Sequence, residues 1–117
     1  MKRRFRLTRS TDIQRVRRFG KSYAHPLIVL IAIQIGEPEN SKFGVTAGRA
    51  IGNAVQRNRA KRIIRAALQL HLMNVSPGWQ VVLIARRPIL DAPFQDVQNA
   101  LGSLLEKAKI LNENHGK

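Results

Sequence analysis

The longest apolar run in the chain, LIVLIAI at Leu27 to Ile33, is β-branched and continuous, the pattern of a strand buried on both faces. It extends to Ile35, and KFGVTAG, from Lys42, reads as the next strand with small residues on one side. The two are expected to pair as a hairpin across a loop that holds the turn formers Gly36, Pro38 and Asn40. WQVVLIAR, Trp79 to Arg86, is a third strong strand, introduced by Ser76, Pro77 and Gly78, and a shorter strand fits at Lys21 to Ala24.

Three other segments repeat at helical spacing. The first runs from Ser10, a candidate N-cap, to about Phe19, with Gly20 as a left-handed stop and Ile13, Val16 and Arg17 on neighbouring positions. The second is capped by Asn53 and runs to about Met73, Gly52 freeing the turn that leads into it. Its apolar face is Ala60, Ile63, Ile64, Ala67 and Leu70. The third starts at Pro93 and carries Phe94, Val97, Leu101, Leu104, Leu105, Ala108 and Leu111 as a stripe against the sheet. The order helix, two or three strands, helix, strand, helix predicts an α+β layered domain with one sheet, spanning 1–117 as a single unit.

Charge changes this picture from a fold to a binding protein. Lys and Arg total 21 against 7 acids, a formal charge of +14, and repulsion of that size disfavours the compact state unless a polyanion neutralises it. The charge is also localised: nine basic residues fall between Asn40 and Leu90 with no acid, and nine more lie in the first 21 residues. An even coating for solubility would intersperse the signs. Cysteine is absent, which excludes disulfides and thiol chemistry and suits a cytoplasmic location. The basic N-terminus is followed by no apolar segment of a secretory signal, and no apolar run approaches the roughly 20 residues of a membrane span.

The charge peaks on the second helix, where Arg57, Arg59, Lys61, Arg62 and Arg65 put five positive charges into nine residues. Arg57, Lys61 and Arg65 are spaced i, i+4, i+8, and Asn58 and Arg62 are placed beside them on the arc opposite the apolar face, with Arg59 at the flank. Like charges at i, i+4 destabilise an isolated helix by a few tenths of a kcal/mol per pair, and no Glu offsets them. Four Arg to one Lys favours forked contact with phosphate oxygens over diffuse attraction to a membrane.

The run IGNAVQRNRAKRIIR resembles the signature of the bacterial ribonuclease P protein subunit, a Gly-Asn-Ala-Val turn leading into an Arg-Asn-Arg helix. RLTRSTDIQRVRRFGKSYAHPLIVL is similar to that family's first helix and strands, and VVLIARRP to its fourth strand. The resemblance implies the order αβββαβα, with a left-handed βαβ crossover through the basic helix, as in the second domain of ribosomal protein S5; the common expectation for such a connection is right-handed. It implies a catalytic centre in a large RNA, with Arg49, Asn53, Arg57, Asn58, Arg59, Lys61, Arg62 and Arg65 binding that RNA subunit. It also implies a cleft for the 5′ leader of precursor tRNA, which falls here on Ile13, Arg17, Ile31 and Thr46. The family often has aromatic residues where this chain has Ile13, Arg17 and Ile31, so apolar and cation contact would replace base stacking. Neither a membrane nor an obligate protein partner is implied, and Mg2+ would be required by the RNA-containing holoenzyme rather than bound by the protein alone. A basic arm at about 1–9 and a tail without fixed structure at about 112–117 would flank the domain.

The residues themselves offer no protein nuclease. Metal-assisted phosphodiester cleavage needs clustered carboxylates, whereas Glu37 and Glu39 share a loop and His25, His71 and His115 are scattered. Trp79 and Phe94 are expected in the core. Two rival classes share parts of the pattern. A non-catalytic ribosomal or other structured-RNA-binding protein would share the charge, without reason for the Gly-Asn-Ala-Val and Arg-Asn-Arg run. A membrane-active amphipathic helix would need a broader, more aromatic apolar face.

Overall fold

The computed structural model describes residues 2–36 and 39–112. Glu37, His115 and residues 113–117 of the expected tail lie outside this range. The helices are α1 (Ser10–Phe19), α2 (Ala54–Gln69) and α3 (Phe94–Lys107), and the strands are β1 (Lys21–Ala24), β2 (Ile28–Gln34), β3 (Lys42–Thr46) and β4 (Trp79–Ala85). The chain therefore follows the order αβββαβα, an α+β fold with one mixed four-stranded sheet.

Sheet order is β1-β2-β4-β3, which corrects the expected β2–β3 hairpin. β2 pairs antiparallel with β1 and β4, while β3 pairs with β4 in parallel, from Lys42 beside Gln80 to Thr46 beside Ile84. The reason is burial. Val81, Val82 and Leu83 are fully buried, so β4 has an apolar residue for each face and takes a central position that an edge strand could not offer. α2 is the crossover that makes the parallel β3–β4 pair possible.

Two unequal layers cover the sheet. On one face α2 and α3 enclose the main core, with Leu30, Phe43, Ile64, Leu68, Leu83, Leu101, Leu104 and Leu105 fully buried. On the other face α1 covers a small cluster of Leu7, Val16, Ile31 and Val82. Val16 is the only buried residue of α1, so this helix is held lightly.

Several local expectations change. Arg9, not Ser10, occupies the N-cap of α1, and its side chain makes no cap bond. Gly20 ends α1 in an extended conformation with φ −77°, not a left-handed one. Its smallness is needed for another reason: a Cβ would lie 2.6 Å from the Val16 carbonyl oxygen, 2.8 Å from Ile31 Cγ2 and 2.9 Å from the Ala32 carbonyl oxygen. α2 stops at Gln69, and Leu68 rather than Leu70 completes its buried face. Pro93 is the N-cap of α3, and Phe94 is 44% exposed rather than core. Trp79 packs against the main core as expected, half-buried.

Candidate nucleic-acid interface

α2 presents the charge, and its first turn is fixed by a complete capping box. Asn53 Oδ1 accepts from the Gln56 N–H at 2.9 Å, and Gln56 Oε1 accepts from the Asn53 N–H at 2.9 Å. Gly52 before it has φ +140°, a region closed to side chains, and a Cβ there would collide with Gln56 Oε1. Asn53, named from sequence as an RNA contact, is thus already the cap of the basic helix. Gln56 carries the sequence signal for this box, an Asn followed three residues later by Gln, which sequence reading passed over.

The basic residues of α2 divide into two sets. Arg57, Lys61 and Arg65 are half-buried along the edge of the packed face, whereas Asn58, Arg59 and Arg62 are exposed. The stripe spaced i, i+4, i+8 therefore borders the buried arc instead of opposing it. The cause is Leu68, which widens the apolar arc toward that stripe. Arg57 Nη1 also donates to the Gly52 carbonyl at 2.8 Å, so one of its donors serves the turn. Arg49 is exposed in a short turn, Arg49–Ile51, whose Ile51 is buried. Among the described residues the only ion pair is Asp12 with Arg15, 3.9 Å apart on α1. The α2 cations thus have no carboxylate partner among those residues.

The sheet face under α1 is organised in rows set by register. Gly44, Val82, Ile31 and Ser22 form one row, and Thr46, Ile84, Val29 and Ala24 the next. Ile31 is only 8% exposed, beneath α1. It supports the helix and presents little surface of its own to the face beside α1. Thr46, Ile84 and Val29 remain half-exposed in their row. Asp12 and Arg15 mark one flank of α1, where Arg15 bonds the Gln80 side chain, and helical spacing puts Ile13 and Arg17 on the other flank, beside the Thr46 row. The accessible floor is therefore Thr46, Ile84 and Val29 with Ile13 and Arg17 at the wall. Val29 and Ile84 could have been found by stepping two residues along each strand from Ile31 and Val82.

The N-terminal arm adds position to its charge. In the structure Arg6 bridges in parallel to Phe43 on the free edge of β3, and the Leu7 N–H donates to the Phe43 carbonyl at 2.9 Å. Leu7 is buried. Arg6 is consequently anchored beside α2, lining a cavity with Thr8, Ile13, Phe43, Val45 and Arg65. Among the described residues no group of three or more His, Cys, Asp or Glu side chains could hold a metal ion, and no helix is long and apolar enough to cross a membrane. His71 closes the end of α2 against α3, its Nε2 3.3 Å from the Gln98 carbonyl, and His25 Nδ1 accepts from the Leu27 N–H. Neither histidine faces the basic surface through these bonds.

A family model described as Ribonuclease P matches residues 1–109. The ribonuclease P protein component of Herpetosiphon aurantiacus is 34% identical over 113 residues, covering 97% of this chain and 91% of that protein. Among solved structures, the RNase P protein of Staphylococcus aureus superimposes with a TM-score of 0.80 at 30% identity, covering 92% of this chain and 98% of the other. The RNase P protein of Thermotoga maritima does so with a TM-score of 0.76 at 25% identity, covering 87% and 96%.

Proposed function

The chain belongs to the ribonuclease P protein family, and from that membership, with the geometry above, we propose how this subunit of an RNA-containing endoribonuclease divides its surface between two RNAs. The partner RNA subunit is bound by α2 and the turn before it, through Arg49, Arg57, Arg59, Lys61, Arg62 and Arg65, with Asn58 beside them. Asn53 contributes by capping the helix that carries them. The 5′ leader of precursor tRNA is bound on the α1 face, along Thr46, Ile84 and Val29 and between Ile13 and Arg17.

The observation that carries this reading is the pairing of two features: a cationic helix without carboxylate partners among the described residues, and a half-exposed apolar row left open beside α1. Phosphate contacts fix position along a backbone, and an apolar floor offers contact to unstacked bases. Among the described residues the donor groups do not fit a protein-held metal, so no step of the reaction is assigned to one. Mg2+ belongs to the RNA in this reading. Cleavage follows in the RNA subunit, in the cytoplasm, and the protein raises the affinity for substrates that carry a leader.

The test is cleavage of a precursor tRNA by the RNA subunit at low Mg2+, with and without this protein. Stimulation by the protein, with no cleavage by rigorously RNA-free protein, is expected. Equal stimulation of a ribosomal RNA assembly reaction and none here would favour the structured-RNA-binding alternative.

A further inference from the structure

Two surfaces assigned above to different RNAs meet at one cavity. It has a volume of about 210 Å3 and is lined by Arg6, Leu7, Thr8, Ile13, Phe43, Val45 and Arg65. Arg65 belongs to the α2 stripe and Ile13 to the wall beside α1. Arg6 and Thr8 come from the arm and have no role in the reading so far. We propose that this cavity receives one phosphate of the precursor strand where it passes from the RNA-subunit surface onto the α1 face, held between Arg6 and Arg65.

Four observations support this. Two arginines, Arg6 and Arg65, line a small cavity whose lining contains no carboxylate, and an anion between like charges relieves their repulsion. The rest of the lining joins apolar surface from Leu7, Ile13, Phe43 and Val45 with polar surface such as that of Thr8, and a charge-assisted hydrogen bond to a phosphate oxygen is stronger than a neutral one. Arg6 is positioned by main-chain pairing with Phe43 and by the buried Leu7 next to it, so little order has to be gained on binding. The volume is enough for a phosphodiester with some of its water. The neighbouring cavity, on the Lys42 end of β3, is lined by Asp12 as well as by Arg6, Arg9 and Lys42. Its carboxylate makes it the poorer anion site.

This inference rests on the leader reading, and the experiment separates the two. Holoenzyme reconstituted with wild type, Arg6→Gln, Arg65→Gln and the double variant is assayed for precursor and mature tRNA affinity over a range of salt, with Lys107→Gln as a charge control. Thermal melts of the free proteins establish that each variant is folded. Arg6→Gln should lower the precursor-to-mature affinity ratio by roughly tenfold, the scale of one hydrogen bond to a charged group. The salt slope for precursor should become shallower by about 0.7, the value for one single-stranded phosphate contact. Because both arginines share one phosphate, the double variant should lose little more than the larger single loss. A wild type without preference for precursor overturns the leader reading and this proposal with it. A wild type with preference that Arg6→Gln retains in full overturns the proposal alone, as does a double variant whose losses are the product of the two single ones.

Discussion

Gly20→Ala tests whether the seat of α1 on the sheet governs leader binding. At an ordinary extended position this change would stabilise the protein by about 0.4–1 kcal/mol through the unfolded chain. Gly20, with φ −77°, imposes no backbone strain on alanine, so that gain is available. Against it stand contacts of 2.6, 2.8 and 2.9 Å from the new methyl to Val16 O, Ile31 Cγ2 and Ala32 O. Two of these are main-chain oxygens that cannot rotate aside, which places the cost in the upper part of the usual overpacking range of about 1–3 kcal/mol. The net loss is about 1–2 kcal/mol, and for a chain of this size the thermal midpoint should fall by roughly 4–8 °C.

Relief is available in one direction only. The main core under α2 and α3 is fully buried and cannot give way, whereas α1 has one buried residue, Val16, with Ile13 partly buried beside it. The helix should therefore lift from Ile31, moving Ile13 and Arg17 away from Thr46 and Ile84. Precursor tRNA should bind the Gly20→Ala holoenzyme more weakly while mature tRNA and the RNA subunit bind as before. The assays are a thermal melt and the ratio of precursor to mature affinity at one fixed salt. An unchanged or raised midpoint would refute the packing argument; a lowered midpoint with an unchanged ratio would refute the link from α1 to the leader.

Asn53→Ala should cost about 1 kcal/mol in urea unfolding, the loss of a helix cap, whereas Asn53→Asp keeps the acceptor and the stability but weakens RNA-subunit affinity by adding a negative charge; equal stability in both would dissociate Asn53 from capping. Arg59→Ala and Arg62→Ala should leave the thermal midpoint unchanged and reduce the slope of log affinity against log salt by about 0.9 per lost contact for duplex-like backbone. Arg57→Ala should reduce the slope and also the midpoint, since it donates to the Gly52 carbonyl; a midpoint equal to wild type would show that bond to be inert. Arg17→Ala should lower the precursor-to-mature ratio, and Ile13→Phe should raise it if an added ring recovers part of the 1–3 kcal/mol that stacking a base contributes. Ratios unmoved in both would place the leader elsewhere on the protein.

The strand segments were legible because each carries its own signal, but their neighbours were not. β2 and β3 follow one another through a loop with turn formers, which reads locally as a hairpin. What separates them is the burial of β4 on both faces, a property that depends on where α1 and α2 settle and is invisible within the hairpin segment itself. The parallel β3–β4 pair came only from the family resemblance. Helical spacing identified every charge on α2 and yet misplaced the Arg57, Lys61 and Arg65 stripe, because the apolar arc was drawn with Leu70 in place of Leu68. Leu70 falls past the last turn of the helix. Gly20 was read correctly as a stop for a wrong reason: a close approach between α1 and β2 is a tertiary fact that no local pattern encodes.

The unequal burial of the two sheet faces gives the proposed division of surfaces a physical basis. A domain of 117 residues has one good core to build, and here nearly all of it lies under α2 and α3. That core fixes α2 over much of its length, so the basic residues along its edge and outer side are held in register before any RNA arrives, as rigid phosphate contacts require. α1 rests on a cluster with four buried members, and local stability is lowest where few apolar contacts hold an element. A leader of variable sequence is accommodated more easily by a wall that can shift than by a fixed one. A substitution that packs the small cluster more tightly should therefore hold α1 more firmly and narrow the range of leaders bound. Cleavage rates across a set of precursors with different leaders would reveal this as a wider spread, and an unchanged spread in a stabilised variant would show that the looseness of α1 has no bearing on leader choice.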